Sequence, residues 1–576
     1  MAQQKKKDSF VLQAGILAAA GIIVKIIGLL YRSPLTSIIG LEGNGYYSSA
    51  INIYTIILLV SSYSIPSAIS KVIAQRLAYK EYRNAQRVFQ CALIYVLVVG
   101  GTASIFTFFA APILVEDNAV MVLRVFAPTI FFSGLLGVLR GYFQAHGTMM
   151  HTSISQILEQ ILNAVVSIGA AYFLMKLVSG ESETTQAIYG ASGSALGTGI
   201  GVLTALLFMF GMYRLNRGII RKRIERDRTQ NEESYREIFK VIITIVTPFI
   251  LSTFIYNCST AVNMNIYYKI KMNVFGLGES VVAIQYGIFA TQAISVVNIP
   301  IAISSAMSSA SIPGVASTFA MHKEEETRHK VGQAIRMTML IAIPATVGLL
   351  VLSRPIMQFI YPQKEALDTA SGLLCALAIS VVLYSLSTLT NAVLQGIGKV
   401  NIPVIHAVVA LVAQIGLLVG LLLYTNLDVY ALACANIAYS FIMCLLNQIA
   451  VRRYLGYREK IMQTYIKPGI SAIVMGAVAY GIYHGLFYLL KISRICLVIA
   501  IGVGVIVYFI LIIKLGAVGE TELKALPKGT MFIHFAKKMH LLGTEKSKEA
   551  PKTEKRGKKK KKIRKRKVRK KKVIKK

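Results

Sequence analysis

The sequence predicts an all-α polytopic membrane protein of about fourteen transmembrane helices, arranged as two parallel-repeat lobes of six plus two C-terminal helices. Three observations predict it. Hydrophobic residues make up 55% of the 576 residues and charged residues only 15%. The apolar residues fall in runs of about 20, long enough to cross a hydrocarbon core of roughly 30 Å. Sequence patterns in the first half return, in order, in the second.

The segments expected to span are 10–31, 45–70, 88–115, 120–143, 153–177, 187–213, 238–266, 281–311, 334–360, 367–396, 402–424, 429–451, 466–489 and 494–515. The first follows Lys5-Lys6-Lys7 and is too long for a signal-peptide core, so it reads as a retained helix. Several spans carry Pro or Gly, which membrane helices tolerate when neighbours satisfy the freed backbone groups.

The loops alternate in charge. One set holds Lys5 to Lys7, Lys71 to Arg87, Arg140, Arg214 to Arg236, Lys323 to Lys330, Lys399, and Arg452 to Lys460. The other holds Arg32, Lys176, Lys269, Lys271, Lys364, Lys491 and Arg494, several-fold fewer cations. The richer set is expected on the cytoplasmic side, so both termini are inside, as an even helix count requires.

The repeat rests on two pairs. Ile65-Pro66-Ser67-Ala68-Ile69-Ser70 in the second span matches Ile299-Pro300-Ile301-Ala302-Ile303-Ser304 in the eighth. Gln144-Ala145-His146-Gly147 after the fourth matches Gln395-Gly396-Ile397-Gly398 after the tenth. An offset of six helices preserves orientation, and transporters with parallel repeats place substrate between the halves. The expected division is a cytoplasmic N-terminus 1–9, an N-lobe 10–213, a basic linker 214–237, a C-lobe 238–451, a helix pair 466–515 and a cytoplasmic tail 516–576.

Polar residues inside the spans are the site candidates. In the first span Ala14, Ala18, Gly21, Lys25, Gly28 and Arg32 recur at three and four, on one helix face. Lys25 sits well inside the bilayer, where an ion is costly and functional by default; its bland alternative is snorkelling to an interface. Arg32 lies near the outer end, as ligand or interfacial anchor. The fifth span carries Thr152, Gln156, Glu159, Gln160, Asn163 and Ser167, with Glu159 suited to pairing with a base or to cation coupling. Asn257 and Asn263 in the seventh span, Gln285, Gln292 and Asn298 in the eighth, and Asn391 and Gln395 in the tenth offer uncharged hydrogen-bonding groups. Each can equally be interhelical glue. Lys71 ends the second span. Arg124 and Arg354 read as interface anchors.

A cavity whose deepest charges are basic suits an anionic substrate such as a pyrophosphate. No phosphate-binding Gly-rich motif, hydrolytic triad or metal-ligand cluster is apparent, so neither an enzyme nor a cofactor is expected and energy must come from a gradient. The six cysteines are scattered through apolar segments and read as packing residues.

Lys25-Ile-Ile-Gly28-Leu-Leu-Tyr31-Arg32, the I-P-S-A-I-S-K segment at 65–71, and Leu139-Arg140-Gly141-Tyr142-Phe143-Gln144 resemble the polysaccharide-transporter branch of the multidrug/oligosaccharidyl-lipid/polysaccharide exporter superfamily. Within it the sequence is similar to the stage V sporulation protein B and MurJ-type lipid II flippase group over about residues 10–515. The resemblance implies a V-shaped, two-lobed flippase of the bacterial plasma membrane, working as a monomer. It would export an undecaprenyl-pyrophosphate-linked saccharide, lipid II first, by alternating access, with Lys25 and Arg32 at basic cavity positions and the last two helices holding the lipid tail. The sequence departs from the group in lacking basic residues in its eighth span, in offering only Lys71 in its second, and in having Asn263 where an acid often stands. The alternatives are a drug or organic-cation antiporter of the same superfamily, which should carry acids deep in its cavity, and a non-transporting scaffold for wall synthesis.

From Thr544 to Lys576 the chain holds 20 Lys and Arg against 3 Glu, a net +17 of the total +37. Such a segment cannot form a core. It is expected to adhere to anionic lipid, with RNA or an acidic protein as alternatives.

Overall fold

The computed structural model describes residues 2–518, apart from 64, 226, 228–231 and 362. The polybasic tail lies outside the described residues. The chain divides into two compact units, Met1–Tyr508 and Phe509–Lys576, with the boundary inside the last helix.

The first unit is helical, with no strand among the described residues. Its long elements are α1 (Ala2–Leu58), α2 (Ile65–Ala78), α3 (Tyr82–Leu114), α4 (Val120–Ala145), α5 (Met149–Leu177), α6 (Glu183–Glu225) and α7 (Tyr235–Lys269). There follow α8 (Glu279–Gly287), α9 (Ile294–Ala320), α10 (Glu324–Val351), the short α11 (Ser353–Ile360), α12 (Leu367–Gly396), α13 (Asn401–Tyr424), α14 (Tyr430–Leu455) and α15 (Lys467–Leu490). α16 (Ser493–Lys514) begins in this unit. A π-helical turn, Ile288–Ala293, joins α8 to α9.

Twelve segments among the described residues are long and apolar enough to cross a membrane. Fourteen is therefore not established, and two places account for the difference. Ile23–Ser61 forms one continuous segment where two spans are expected. It is really two arms, because Gly40 leaves helical geometry at φ 70° and ψ −179°, a conformation that needs glycine. Pro34, which removes a helical donor, lies just ahead. At the seventh expected span α7 is helical throughout, but it does not enter the twelve.

Small residues decide how closely the helices approach. α5 and α6 form the most extensive pair. Gly193, Gly197 and Gly201 repeat at four along α6, and a Cβ there would stand 2.5 Å from Ala171 N, 2.2 Å from Ser167 Oγ and 2.6 Å from Glu159 O. This is the small-residue spacing that lets membrane helices meet backbone to backbone. The second arm of α1 crosses α8 as tightly: a Cβ on Gly45 would lie 2.1 Å from the Ala283 carbonyl oxygen. Gly141 of α4 is pressed on Pro66 of α2, 2.7 Å from its carbonyl oxygen to a built Cβ, so two of the conspicuous sequence motifs touch.

The expected linker 214–237 is mostly helix. Residues 214–225 continue α6, and α7 begins at Tyr235 behind a capping box of Ser234 and Glu237. What lies between is an acidic strap docked on arginines. Arg83 donates its backbone N–H to Asp227 at 2.7 Å and pairs with Glu232 at 3.0 Å. Arg87 bonds Glu232 and the Glu233 carbonyl, and Arg76 pairs with Glu233 at 2.7 Å. The junction after α14 is held by different contacts. Arg328 near the start of α10 donates to the Leu455 carbonyl at 2.6 Å as the chain leaves α14, and Tyr457 covers Gly332. α7 then crosses between groups. Ile238 and Ile242 pack with Ile65, Val88 and Leu139 of the first half, while the helix also packs against α13.

Candidate functional site

A pocket of about 260 Å³ opens between α1, α5, α6 and α9. Lys25, Gly28 and Arg32 supply one wall, as positions three and four apart on one helix must. Gly28 has a purpose: a Cβ there would meet the Gln160 amide nitrogen at 3.3 Å, so glycine makes room for that side chain. Gln160 and Asn163 of α5, Thr198 of α6 and Ser295 and Asn298 of α9 complete the polar lining, with Tyr31 and Tyr47 above. Lys25 is exposed along the wall. The lining contains two cations and no carboxylate, and among the described residues none pairs with Lys25.

Arg32 closes the pocket. Its guanidinium donates to Ser295 Oγ and, at 3.4 Å, to the Thr291 carbonyl in the π-helical turn. Tyr361 donates to that same carbonyl at 3.0 Å. Beyond it the two halves are stitched together. Gln363 donates to the Thr36 carbonyl at 2.7 Å and accepts from Gln292 at 3.1 Å. Tyr46 and Ser280 both donate to Glu42, Asn118 bonds Tyr46 at 3.1 Å, and the Asn118 backbone reaches Glu279 at 3.1 Å. Asn52 donates to Tyr286 at 2.7 Å. With Gly45 seated on α8, this end is shut.

Six of the residues expected from sequence, Lys25, Gly28, Arg32, Gln160, Asn163 and Asn298, line the pocket. The others stand elsewhere. Glu159 is paired with Arg140 at 2.7 Å, and Arg140 also holds Ser155 at 2.9 Å, so this acid knits α4 to α5 outside the lining. Gln156 is half-buried on α5, and Lys71 is exposed on α2. Gln292 is buried in the closing network. Asn263 is buried on α7, its side-chain oxygen without a hydrogen-bond partner among the described residues. The Asn257 side chain lies outside the described residues. Of the anchors, Arg124 sits 5.6 Å from the Phe108 ring centroid and Arg354 pairs with Asp368 at 2.6 Å. Thr198, Ser295 and Tyr47 were not singled out from sequence. Their signal was weak: Ser295 and Asn298 are three apart, as Gln160 and Asn163 are, so each pair shares a face.

A cationic pocket closed at one end has relatives. The family model described as lipid II flippase MurJ matches residues 88–500. The chain belongs to the lipid II flippase MurJ family. It is 24% identical over 500 residues to the lipid II flippase MurJ of Bacillus subtilis strain 168, covering 83% of this chain and 87% of that one. It is 23% identical over 531 residues to stage V sporulation protein B of the same organism, covering 90% and 98%. Among solved structures, lipid II flippase MurJ in an inward closed conformation superposes with a TM-score of 0.59 at 16% identity, over 87% of this chain and 97% of that one. An inward-facing multidrug resistance MATE transporter of the MOP superfamily gives 0.56 at 17%, over 76% and 98%. This membership makes the chain a multi-span membrane protein of a flippase family with the MATE/MurJ fold.

Proposed function

We propose that this member flips an undecaprenyl-pyrophosphate-linked saccharide, lipid II first, across the bacterial plasma membrane. The observation that carries the reading is the pairing of Lys25 and Arg32 in one pocket without a carboxylate. An ammonium engages a phosphate as a point charge and a guanidinium as a fork, so the two together match a pyrophosphate. Seven residues of helix separate them by about 10 Å along the axis, and their long side chains bring the charges closer. An organic-cation antiporter would need the opposite polarity, and a scaffold would need no cation inside the bilayer at all.

The division into an N-lobe 10–213, a C-lobe 238–451 and an added helix pair 466–515 supplies the moving parts. With the cation-rich loops and both termini cytoplasmic, the shut end faces outward and the pocket opens inward. The headgroup enters and meets Lys25, and Arg32 exchanges Ser295 and Thr291 for phosphate oxygens. That loosens the outer seal, and the halves rock. A doubly charged headgroup leaving a negative interior gains roughly 4–5 kcal/mol per 100 mV if it crosses the whole field. The potential can thus drive transport in one direction without a nucleotide.

Translocation of fluorescent lipid II in proteoliposomes, with and without an imposed potential, tests this. The intact protein flips faster when the headgroup side is negative, and Lys25→Ala flips roughly 10- to 100-fold more slowly. Equal rates for both proteins would discard the pyrophosphate site. A folded protein that leaves lipid II in place, yet moves another undecaprenyl-linked saccharide, would move the substrate assignment and not the site.

A further inference from the structure

A second groove lies far from the pocket in sequence and shares none of its residues. It runs between α13 and α14, holds about 210 Å³, and is walled by Ile405 and Ile449 with His406 at its side and Arg453 and Tyr454 at one end. Ile405 is 59% and Ile449 56% exposed, so nothing in the described chain covers them. Both helices are membrane spans, and what meets such a face in the bilayer is an acyl chain.

The end of the groove is chemically different from its walls. Lys399, just before α13, holds its ammonium 5.1 Å from the ring centroid of Tyr454, which lines the groove with Arg453. Among the described residues no carboxylate pairs with either cation, whereas Arg76, Arg83 and Arg87 are each taken by the acidic strap. Two unpaired cations capping an apolar groove at the membrane boundary match a phosphate joined to an acyl chain. We propose that this groove is a binding site for one anionic glycerophospholipid, its phosphate on Lys399 and Arg453 and a chain along Ile405 and Ile449.

The site is also wired inward. His406 Nδ1 is 2.7 Å from Asn447 Oδ1, and the buried Asn447 donates to Asn391 of α12 at 2.7 Å. A lipid against His406 therefore bears on a polar chain that ends on α12, a helix packed against α9, α10 and α14.

The test is binding of phosphatidylglycerol and phosphatidylcholine to the full-length protein by native mass spectrometry, after detergent exchange at high ionic strength. Salt suppresses diffuse attraction to the polybasic tail. The protein retains one phosphatidylglycerol in preference to phosphatidylcholine. Lys399→Ala with Arg453→Ala weakens phosphatidylglycerol roughly 30-fold, at about 1 kcal/mol per cation, and leaves phosphatidylcholine unchanged. Ile405→Trp, which fills the groove and keeps both charges, lowers retention to the phosphatidylcholine level. Lys399→Arg with Arg453→Lys keeps the preference and guards against misfolding of the alanine pair. No preference in the parent protein, no loss in the alanine pair, or full retention by Ile405→Trp would each overturn the site, the last by showing that surface charge alone binds. Stronger capture of undecaprenyl phosphate than of phosphatidylglycerol at the groove would overturn the assigned lipid.

Discussion

The pocket and the strap use the same kinds of side chain for different ends. At the strap Arg76, Arg83 and Arg87 each meet a carboxylate of the segment before α7. In the pocket Lys25 meets none, and Arg32 rests on neutral oxygens of Thr291 and Ser295. A paired arginine is half-neutralised and fixed, and it serves the fold. An unpaired cation inside a membrane span costs stability and persists where something anionic visits it. The difference teaches that counting basic residues says little, and that pairing is what sorts them.

The largest test of this contrast is in the pocket. Lys25→Ala and Arg32→Ala should each slow lipid II flipping roughly 10- to 100-fold, since a hydrogen bond to a charged group contributes about 1.5–3 kcal/mol. Lys25→Ala should not lower the melting temperature of the purified protein, because Lys25 has no ion-pair partner to lose among the described residues. Arg32→Ala should also loosen the shut end, read as faster modification of a cysteine placed at Ser295. Retained flipping in both variants would place the pocket cations with the strap.

Next comes Glu159, an acid between the two regions in character. Glu159→Gln leaves Arg140 part-buried without its counter-charge and should cost roughly 1–3 kcal/mol of stability. Flipping per folded molecule should keep its dependence on potential and on cations. A changed cation dependence in a protein of unchanged stability would make Glu159 a coupling residue.

The strap itself should respond more weakly. Glu232→Arg should destabilise by about 1 kcal/mol, and adding Arg87→Glu should recover part of it, since the pair is partly exposed. Because the strap holds the start of α7, the single variant should also alter distances between spin labels on α3 and α7, with restoration in the double. Independent effects of the two changes would mean the strap's charges do not act together.

Much of this was legible in sequence for a definite reason. Lys25, Gly28 and Arg32 share a face because periodicity within one helix is a local property. Ser295 and Thr198 join them through tertiary contact between α1, α9 and α6, which no spacing announces. Gln292 and Glu159 read the same as Asn163 on paper. One is spent on Gln363 and the other on Arg140, since polar groups in membrane helices serve as glue as readily as lining. The expected fourteen spans met twelve because Gly40 breaks helical geometry without ending the first segment and because α7 does not enter the count. The linker was read from its cations, and its few acids, Asp227, Glu232 and Glu233, are what dock it.

The smallest effect sharpens the contrast on the strap's side. His146 follows α4, and its ring lies 4.4 Å from Tyr142 with Nδ1 2.9 Å from the Tyr142 carbonyl. Burial lowers its pKa below the ordinary histidine value, and the nearby Arg223 adds to the shift, while the bond to the Tyr142 carbonyl opposes it. Above pH 6.5 the ring is neutral whether the chain is folded or not, and its contribution to stability is complete. As pH falls through 6.5 the unfolded chain takes up a proton that the folded site resists, so stability declines until the folded pKa is passed. Melting temperature should therefore drop on acidification from pH 7.5, and His146→Gln should lessen that drop while leaving the value at pH 7.5 nearly unchanged. The other histidines are the same in both proteins, so the difference between the two curves isolates His146. A parallel pair of curves would mean that the ring is protonated as readily in the folded protein as in water.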